Sequence, residues 1–335
     1  MGRRPIVRTI VGLVTAMLVV AACGGAAGPG GGTAFTPTRP SEFVISTGPG
    51  GGSDTYARLW IGIMDKEKLT AQPVTPVNKE GAAGAVAFTY VNEKKGDPHY
   101  VMVTLNSFWT TIITQKLPYK TTDFTPIANL AQDPFFLWVA EDSAIKTAAD
   151  FVAAAKAKSL TVSGTGAKQE DEVLFRRIEA LAGTQKFTYV PQSGGGAVAT
   201  ALAGGQGGVE VTVNNPSEGL GLFTATPRKI RPVCAFTPTS PAEGAFKDLA
   251  TCKSQGLAID DYYNVRSVVA APGLTKVQQD FWVAVFKKVS DSADWKAFMT
   301  KNALVPDFRA GDDFKKLIEQ YEQIHRDIAT KNGWI

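Results

Sequence analysis

The chain has 335 residues, 44% of them hydrophobic and 20% charged, with 33 glycines and 19 prolines. This is a globular composition rich in turn formers, and it excludes a disordered, collagenous or coiled-coil chain. At about 100–200 residues per domain the length fits two domains, each able to bury its own core. The formal net charge is +4. Three basic residues, Arg3, Arg4 and Arg8, lie in an amino-terminal segment read below as removed. Taking them from the 35 Lys and Arg leaves 32 against 31 Asp and Glu, a balance that does not point to nucleic acid as a partner.

Those arginines precede a run of apolar and small residues from Ile10 to Ala22, shorter than the roughly 20 residues that cross a bilayer. Residues 1–22 therefore read as an export signal. It ends in Val20-Ala21-Ala22-Cys23-Gly24, which resembles the lipobox of bacterial lipoproteins, so Cys23 is expected to carry the lipid and to begin the mature chain. An ordinary cleavage site with a chance cysteine is the alternative. Residues 23–41 are dominated by glycine and proline and read as a flexible tether. At about 0.8 kcal/mol per buried methylene, two or three acyl chains hold such a protein on a membrane. The expected location is outside the cytoplasm, lipid-anchored to a bacterial cell membrane, in the periplasm or on the outer face of the cytoplasmic membrane. In that compartment the pair Cys234 and Cys252 is expected to be oxidised, with two buried thiols as the alternative. With only two histidines, His99 and His325, far apart, no metal and no cofactor are expected.

Along the chain, Phe43 to Ser46 is a short apolar run that stops at Thr47-Gly48-Pro49-Gly50-Gly51-Gly52-Ser53-Asp54, after which Ala57, Trp60, Ile61 and Met64 recur at helical spacing. Gly81 to Val91 reads as a helix, Tyr100 to Leu105 and Phe135 to Ala140 as strands, and Thr147 to Ala157 as a helix. Leu160 to Ser163 then runs into Gly164-Thr165-Gly166, followed by a helix that stops at Gly183, so the strand, glycine loop and helix unit recurs. Later strands are expected at Phe187 to Val190, Val209 to Val213, Ile230 to Phe236 and Val265 to Ala270, with helices at Val198 to Leu202, Lys276 to Ser290 and Asp313 to Thr330. Alternation on this scale implies α/β layers with largely parallel sheets.

The chemistry resides in the two glycine loops. A helix start leaves about four amides unpaired and carries about half a positive charge, and glycines let an anion come close. In Gly51, Gly52 and Ser53, backbone amides and one hydroxyl can face a carboxylate or phosphate. Thr165, Gly166, Ala167 and Lys168 offer a second such site in the other half of the chain, and two converging loops make a cleft. Turn formation and helix capping are the plainer readings of the same residues. Asp54 suits a first helical turn, with orienting Ser53 or meeting a ligand amine as alternatives. Asn106, Ser107, Ser193 and Asn214 follow predicted strands at their carboxyl ends, where open α/β sheets bind ligands. The run Glu170-Asp171-Glu172 favours a helix amino end through the dipole, and it makes that mouth less welcoming to a highly charged anion.

An ordered set of segments carries a family resemblance: Gly48-Pro49-Gly50-Gly51-Gly52-Ser53-Asp54-Thr55-Tyr56-Ala57-Arg58, the stretch from Val77 to Ala85, Asp123 to Ala128, Asp133-Pro134, Ser163 to Gly166, Val190 to Gly194, Leu202 to Gln206 and Ala271 to Gly273. Together they resemble the substrate-binding receptors of tripartite tricarboxylate transporters, the Bug-type family. The resemblance implies a two-lobed periplasmic-binding-protein fold of the type II, Venus-flytrap kind, each lobe a mostly parallel sheet flanked by helices. It implies a discontinuous first lobe, residues 42–140 and 265–335, with residues 141–264 as the second. It implies a monomeric receptor, not an enzyme, that captures a small organic carboxylate and delivers it to a transporter with one large and one small membrane subunit. The carried-over contacts are Gly51, Gly52 and Ser53 on one lobe and Thr165, Gly166 and Ala167 on the other, with Asn106, Ser193 and Asn214 behind them. Ala167 to Asp171 departs from the family pattern: Lys168 would add an ion pair, or the acidic run would prefer an amine or an uncharged tail. An exported hydrolase or transferase using the loops as an anion hole, and a receptor presenting its ligand to a sensor kinase, are the competing functions.

Overall fold

The computed structural model describes residues 1–2, 34–49, 52–259 and 262–335. The export signal beyond its first two residues, Cys23, most of the tether and Gly51 lie outside the described residues.

Two mixed sheets organise the chain from Ala34 onward. The first is built from β1 (Ser41–Ile45), β2 (Val74–Asn78), β3 (Tyr100–Thr104), β4 (Thr125–Asp133), β10 (Asn264–Ala270) and β11 (Val305–Ala310), in the order β11-β4-β10-β3-β1-β2. The second is built from β5 (Phe136–Ala140), β6 (Thr161–Thr165), β7 (Thr188–Gln192), β8 (Val211–Asn214) and β9 (Ile230–Ala235), in the order β7-β6-β8-β5-β9. Helices α1 (Gly52–Glu67), α2 (Ala85–Asn92), α3 (Ser107–Thr114), α8 (Lys276–Asp291), α9 (Ala293–Lys301) and α10 (Gly311–Lys331) accompany the first sheet. Helices α4 (Ala148–Ala157), α5 (Glu170–Ala182), α6 (Gly195–Ala203) and α7 (Pro216–Phe223) accompany the second. Among the described residues no helix is long and apolar enough to cross a membrane.

The parallel pairing expected from strand and helix alternation holds at β1 with β2 and β3, and at β6 with β7 and β8. The strands that enter or leave a sheet across the middle of the molecule run the other way. β10 is antiparallel to β3 and β4, and β5 is antiparallel to β8 and β9. Phe136 to Ala140, expected to end the first lobe, is hydrogen-bonded into the second sheet instead. Its neighbour β4 was not anticipated as a strand, because it is buried along both faces and so lacks polar alternation.

Side-chain alternation along each strand sends residues to opposite faces. Phe43 and Ile45 point with Trp60, Trp282 and Trp295 into one core, whereas Val44 joins Phe88, Trp109 and Tyr321 in another. Leu137 and Val139 of β5 belong to that second core, and Phe136 and Trp138 pack on the other side with Ala199, Leu202 and Phe246. Between β4 and β5 the chain crosses at Pro134-Phe135, where the Phe135 ring stacks on Tyr262 at 5.8 Å and 9°. α10 braces this crossing. The Tyr262 hydroxyl meets His325 Nε2 at 3.0 Å, and His325 Nδ1 lies 2.7 Å from the Tyr321 carbonyl. A carbonyl only accepts, so Nδ1 carries the proton and Nε2 accepts from Tyr262. Cys234 and Cys252 are joined, with sulfurs 2.07 Å apart.

Candidate functional site

The loops at the carboxyl ends of β1, β3, β6, β7 and β8 face a cavity of about 450 Å³. From the first sheet's side it is lined by Ser46 to Pro49, Gly52, Ser53, Gly84 and Ser107. From the second come Thr165, Gly166, Gln169, Glu170, Asp171, Gln192 to Gly195, Asn215 and Glu218, and Asn264 and Arg266 of β10 also line it. Of the residues singled out in the sequence, Gly52, Ser53, Ser107, Thr165, Gly166 and Ser193 therefore share one cavity wall or the other. Gly51 lies outside the described residues.

On the first loop, Gly52 and Ser53 line the cavity. Ser53 sits in the first turn of α1 with no exposed surface, and its hydroxyl has no hydrogen-bond partner. Asp54 does not line the cavity. Its carboxylate accepts twice from Arg58 Nε at 2.9 Å and once from Asn78 Nδ2 at 2.9 Å, and that same amide donates to the Thr47 carbonyl at 2.8 Å. Asp54 thus braces the loop from behind, where an i,i+4 partner on its own helix can reach it.

The second loop is different from expectation: three of its amides are already occupied by the protein. Thr165 N donates to Asp171 Oδ2 at 2.6 Å, Gly166 N to the Gln192 carbonyl at 2.9 Å, and Lys168 N to Glu172 Oε2 at 2.7 Å. Acidic side chains in the first turn of α5 reach back and fill the site that a ligand anion was expected to fill. Ala167 and Lys168 are exposed and do not line the cavity, so Lys168 adds no ion pair there. Asn106 and Asn214 are also withdrawn. Asn106 Nδ2 donates to the Tyr263 carbonyl while Oδ1 accepts from Val265 N, and Asn214 Nδ2 donates to the Gly195 carbonyl while Oδ1 accepts from Asn215 N. Asn106 thus ties the end of β3 to β10, and Asn214 ties the end of β8 to the start of α6.

The glycines of the second wall serve close approach of these acids. A Cβ on Gly164 would fall 2.3 Å from Asp171 Cβ and 2.6 Å from the Tyr189 hydroxyl, and one on Gly195 would fall 2.0 Å from the Glu218 carboxyl carbon. Gly164→Ala is therefore expected to destabilise the protein by about 1–3 kcal/mol through overpacking, read as a lowered urea midpoint. An unchanged midpoint would show that Asp171 and Tyr189 do not hold the loop.

Sequence reasoning missed Arg266 and Glu218; at the turn after β8 it favoured Asn214, whereas the neighbouring Asn215 lines the cavity. Arg266 is buried beneath the cavity, donating from Nε to Asp133 Oδ2 at 3.0 Å and from Nη2 to Asn215 Oδ1 at 3.3 Å, with its guanidinium 4.4 Å from the centre of the Tyr56 ring. The Tyr56 hydroxyl donates to the same Asp133 oxygen at 3.0 Å. A charge inside the apolar run Val265 to Val269 was the available signal, since a buried arginine requires a partner. Burial pushes Asp133 up despite Arg266 and Tyr56. It likewise pushes Glu170 and Glu218 up to about 7, with Arg266 opposing both. Asp171 is raised by burial and then by the charge of Glu170, against the Thr165 amide. Neither histidine faces the cavity: His99 pairs with Asp97 at 2.8 Å, and burial lowers His325 to about 4.

The sequence matches the family described as "Tripartite tricarboxylate transporter family receptor" over residues 62–333. It is 30% identical over 302 residues to the UPF0065 protein in the gbd 5′ region of Cupriavidus necator, covering 89% of this chain and 88% of that one. The fold is that of MatC from Rhodopseudomonas palustris, solved with bound malate (TM-score 0.74, 22% identity, covering 87% of this chain and 99% of that one). It is also that of a second R. palustris protein solved with adipate (TM-score 0.73, 21% identity, covering 89% and 98%). The chain belongs to the tripartite tricarboxylate transporter receptor family of solute-binding proteins.

Proposed function

We propose that this chain is an extracytoplasmic receptor, held on a membrane by a lipid on Cys23, that captures a small organic carboxylate between two lobes and delivers it to a transporter of one large and one small membrane subunit. In this reading the first lobe comprises residues 42–135 and 264–335, and the second residues 136–263, with the chain crossing at Pro134-Phe135 and again just before β10. The observation that carries the reading is Ser53: fully buried, its hydroxyl unpartnered, in the first turn of a 16-residue helix and on the wall of the shared cavity. A buried hydroxyl without a partner is costly unless a ligand completes it, and the positive helix end beside it selects an anion. The malate and adipate in the two R. palustris structures support the ligand class. A ligand that touches both walls binds the closed arrangement better and shifts the population toward it.

Titration calorimetry of the purified protein against mono-, di- and tricarboxylates tests this. Ser53→Ala is expected to weaken the best of them about fivefold, since one hydrogen bond is worth about 1 kcal/mol. Unaltered affinity in that variant would remove the carboxylate from this loop.

A further inference from the structure

The cavity is electrostatically lopsided, since the acidic side chains of its lining all come from the second wall. Glu170, Asp171 and Glu218 all line it, and among the described residues Arg266 is the one basic residue in the lining. That guanidinium is already paired with Asp133, so the three carboxyl groups have no cation of their own. Asp171 has a partner in the Thr165 amide, and Glu218 receives only a long contact from Asn215 N at 3.4 Å. Glu170 is 5% exposed, and its Oε2 has no hydrogen-bond partner. A buried carboxylate oxygen without a donor is expensive. Two amides of the Thr165 to Lys168 loop, those of Thr165 and Lys168, are filled by Asp171 and Glu172.

We infer that the second wall is a cation-accepting subsite: Glu170, supported by Asp171 and Glu218, receives an ammonium group of a ligand whose carboxylate lies against Ser53 on the first wall. The ligand class is thus a zwitterion, a small amino acid rather than a plain di- or tricarboxylate. The inference rests on the carboxylate reading above for the ligand's other end. An ammonium brings three donors and a positive charge, which satisfies Glu170 Oε2 and offsets the like charge of its neighbours in one step. A ligand with a second carboxylate in that position would instead meet three acidic groups.

Calorimetry on the purified full-length protein with matched pairs tests this, using α-, β- and ω-amino acids against the same acids lacking nitrogen, such as aspartate against succinate and 2-aminoadipate against adipate, together with simple alkylamines. The best amino acid is expected to bind at least about tenfold tighter than its nitrogen-free partner. Glu170→Gln is expected to erase that preference while leaving or improving the affinity for the plain acid. Glu218→Gln provides a second variant with a smaller effect in the same direction. Plain acids binding tighter than amino acids, an amino-acid preference that survives in Glu170→Gln, or no binding by any nitrogen-bearing probe would each overturn the inference. Alkylamines that bind as well as the amino acids, and lose affinity in Glu170→Gln, would keep the cation subsite while removing the carboxylate from Ser53. Plain acids that bind through Ser53 alone would do the reverse.

Discussion

Replacing Arg266 with leucine is expected to lower the stability of the unliganded protein by about 3–5 kcal/mol, the range seen when one partner of a buried ion pair is removed. For a chain of this size that corresponds to a melting temperature about 5–8 °C lower. The reason lies in what Arg266 leaves behind. Asp133 has no exposed surface, and its Oδ1 has no partner even with the arginine present. Without the guanidinium only the Tyr56 hydroxyl would remain on Oδ2. Glu170 and Glu218 also feel Arg266 as the neighbouring positive charge that opposes their upward shift, so both would become harder to ionise. Adding Asp133→Asn to the leucine variant is expected to recover much of the loss, because a neutral amide is far cheaper to bury than an unpaired carboxylate. Differential scanning calorimetry of the wild type and the single and double variants checks this. A double variant no more stable than Arg266→Leu alone would mean that the guanidinium acts through packing on Tyr56 and not through charge.

How much of this arrangement was legible depends on the range of the interaction. The positions of both glycine loops were readable, because each marks a switch from a short apolar run to helical spacing, at β1 into α1 and at β6 into α5. What fills each loop was not. Whether the Thr165 amide faces a ligand or the protein's own Asp171 depends on how the first turn of α5 folds back over Gly164, a matter of side-chain direction invisible in spacing. The acidic run was correctly placed at a helix amino end, and the dipole explanation alone hid its second role as a wall of the cavity. Arg266 and Asp133 are separated by 133 positions in the chain, so nothing local announced their pairing. The polar residues Asn106 and Asn214 misled for a related reason. At the ends of strands, asparagine can serve a ligand or a neighbouring backbone, and here the backbone takes both, Tyr263 and Val265 for Asn106 and Gly195 and Asn215 for Asn214.

The pH dependence of stability follows from the same wall. Glu170 ionises in the unfolded chain near 4.5 and in the folded protein at about 7. The fold therefore binds the proton more tightly than the unfolded chain does, and the stability this confers is complete below 4.5 and lost as pH rises through 7. At about 1.4 kcal/mol for each tenfold difference, the loss attributable to Glu170 is about 3 kcal/mol. Glu218 shifts in the same direction, also to about 7, and adds to the same trend. His325 acts in the opposite sense: its folded value of about 4 lies below the ordinary 6.5, so its contribution is present above 6.5 and disappears as pH falls toward 4. The two trends overlap, and a single melting curve would blend them. Glu170→Gln separates them, since glutamine resembles the protonated acid at every pH. The variant is expected to be more stable than wild type by about 3 kcal/mol at pH 8, with the gap closing toward zero at pH 4. Denaturant titrations across that range measure the gap, and one that stays constant with pH would show that Glu170 gains or loses packing rather than a proton. A stabilising loss of charge at a ligand-facing position would also fit a site that sacrifices stability for binding, because the group that burdens the empty receptor is the one an arriving ammonium would satisfy.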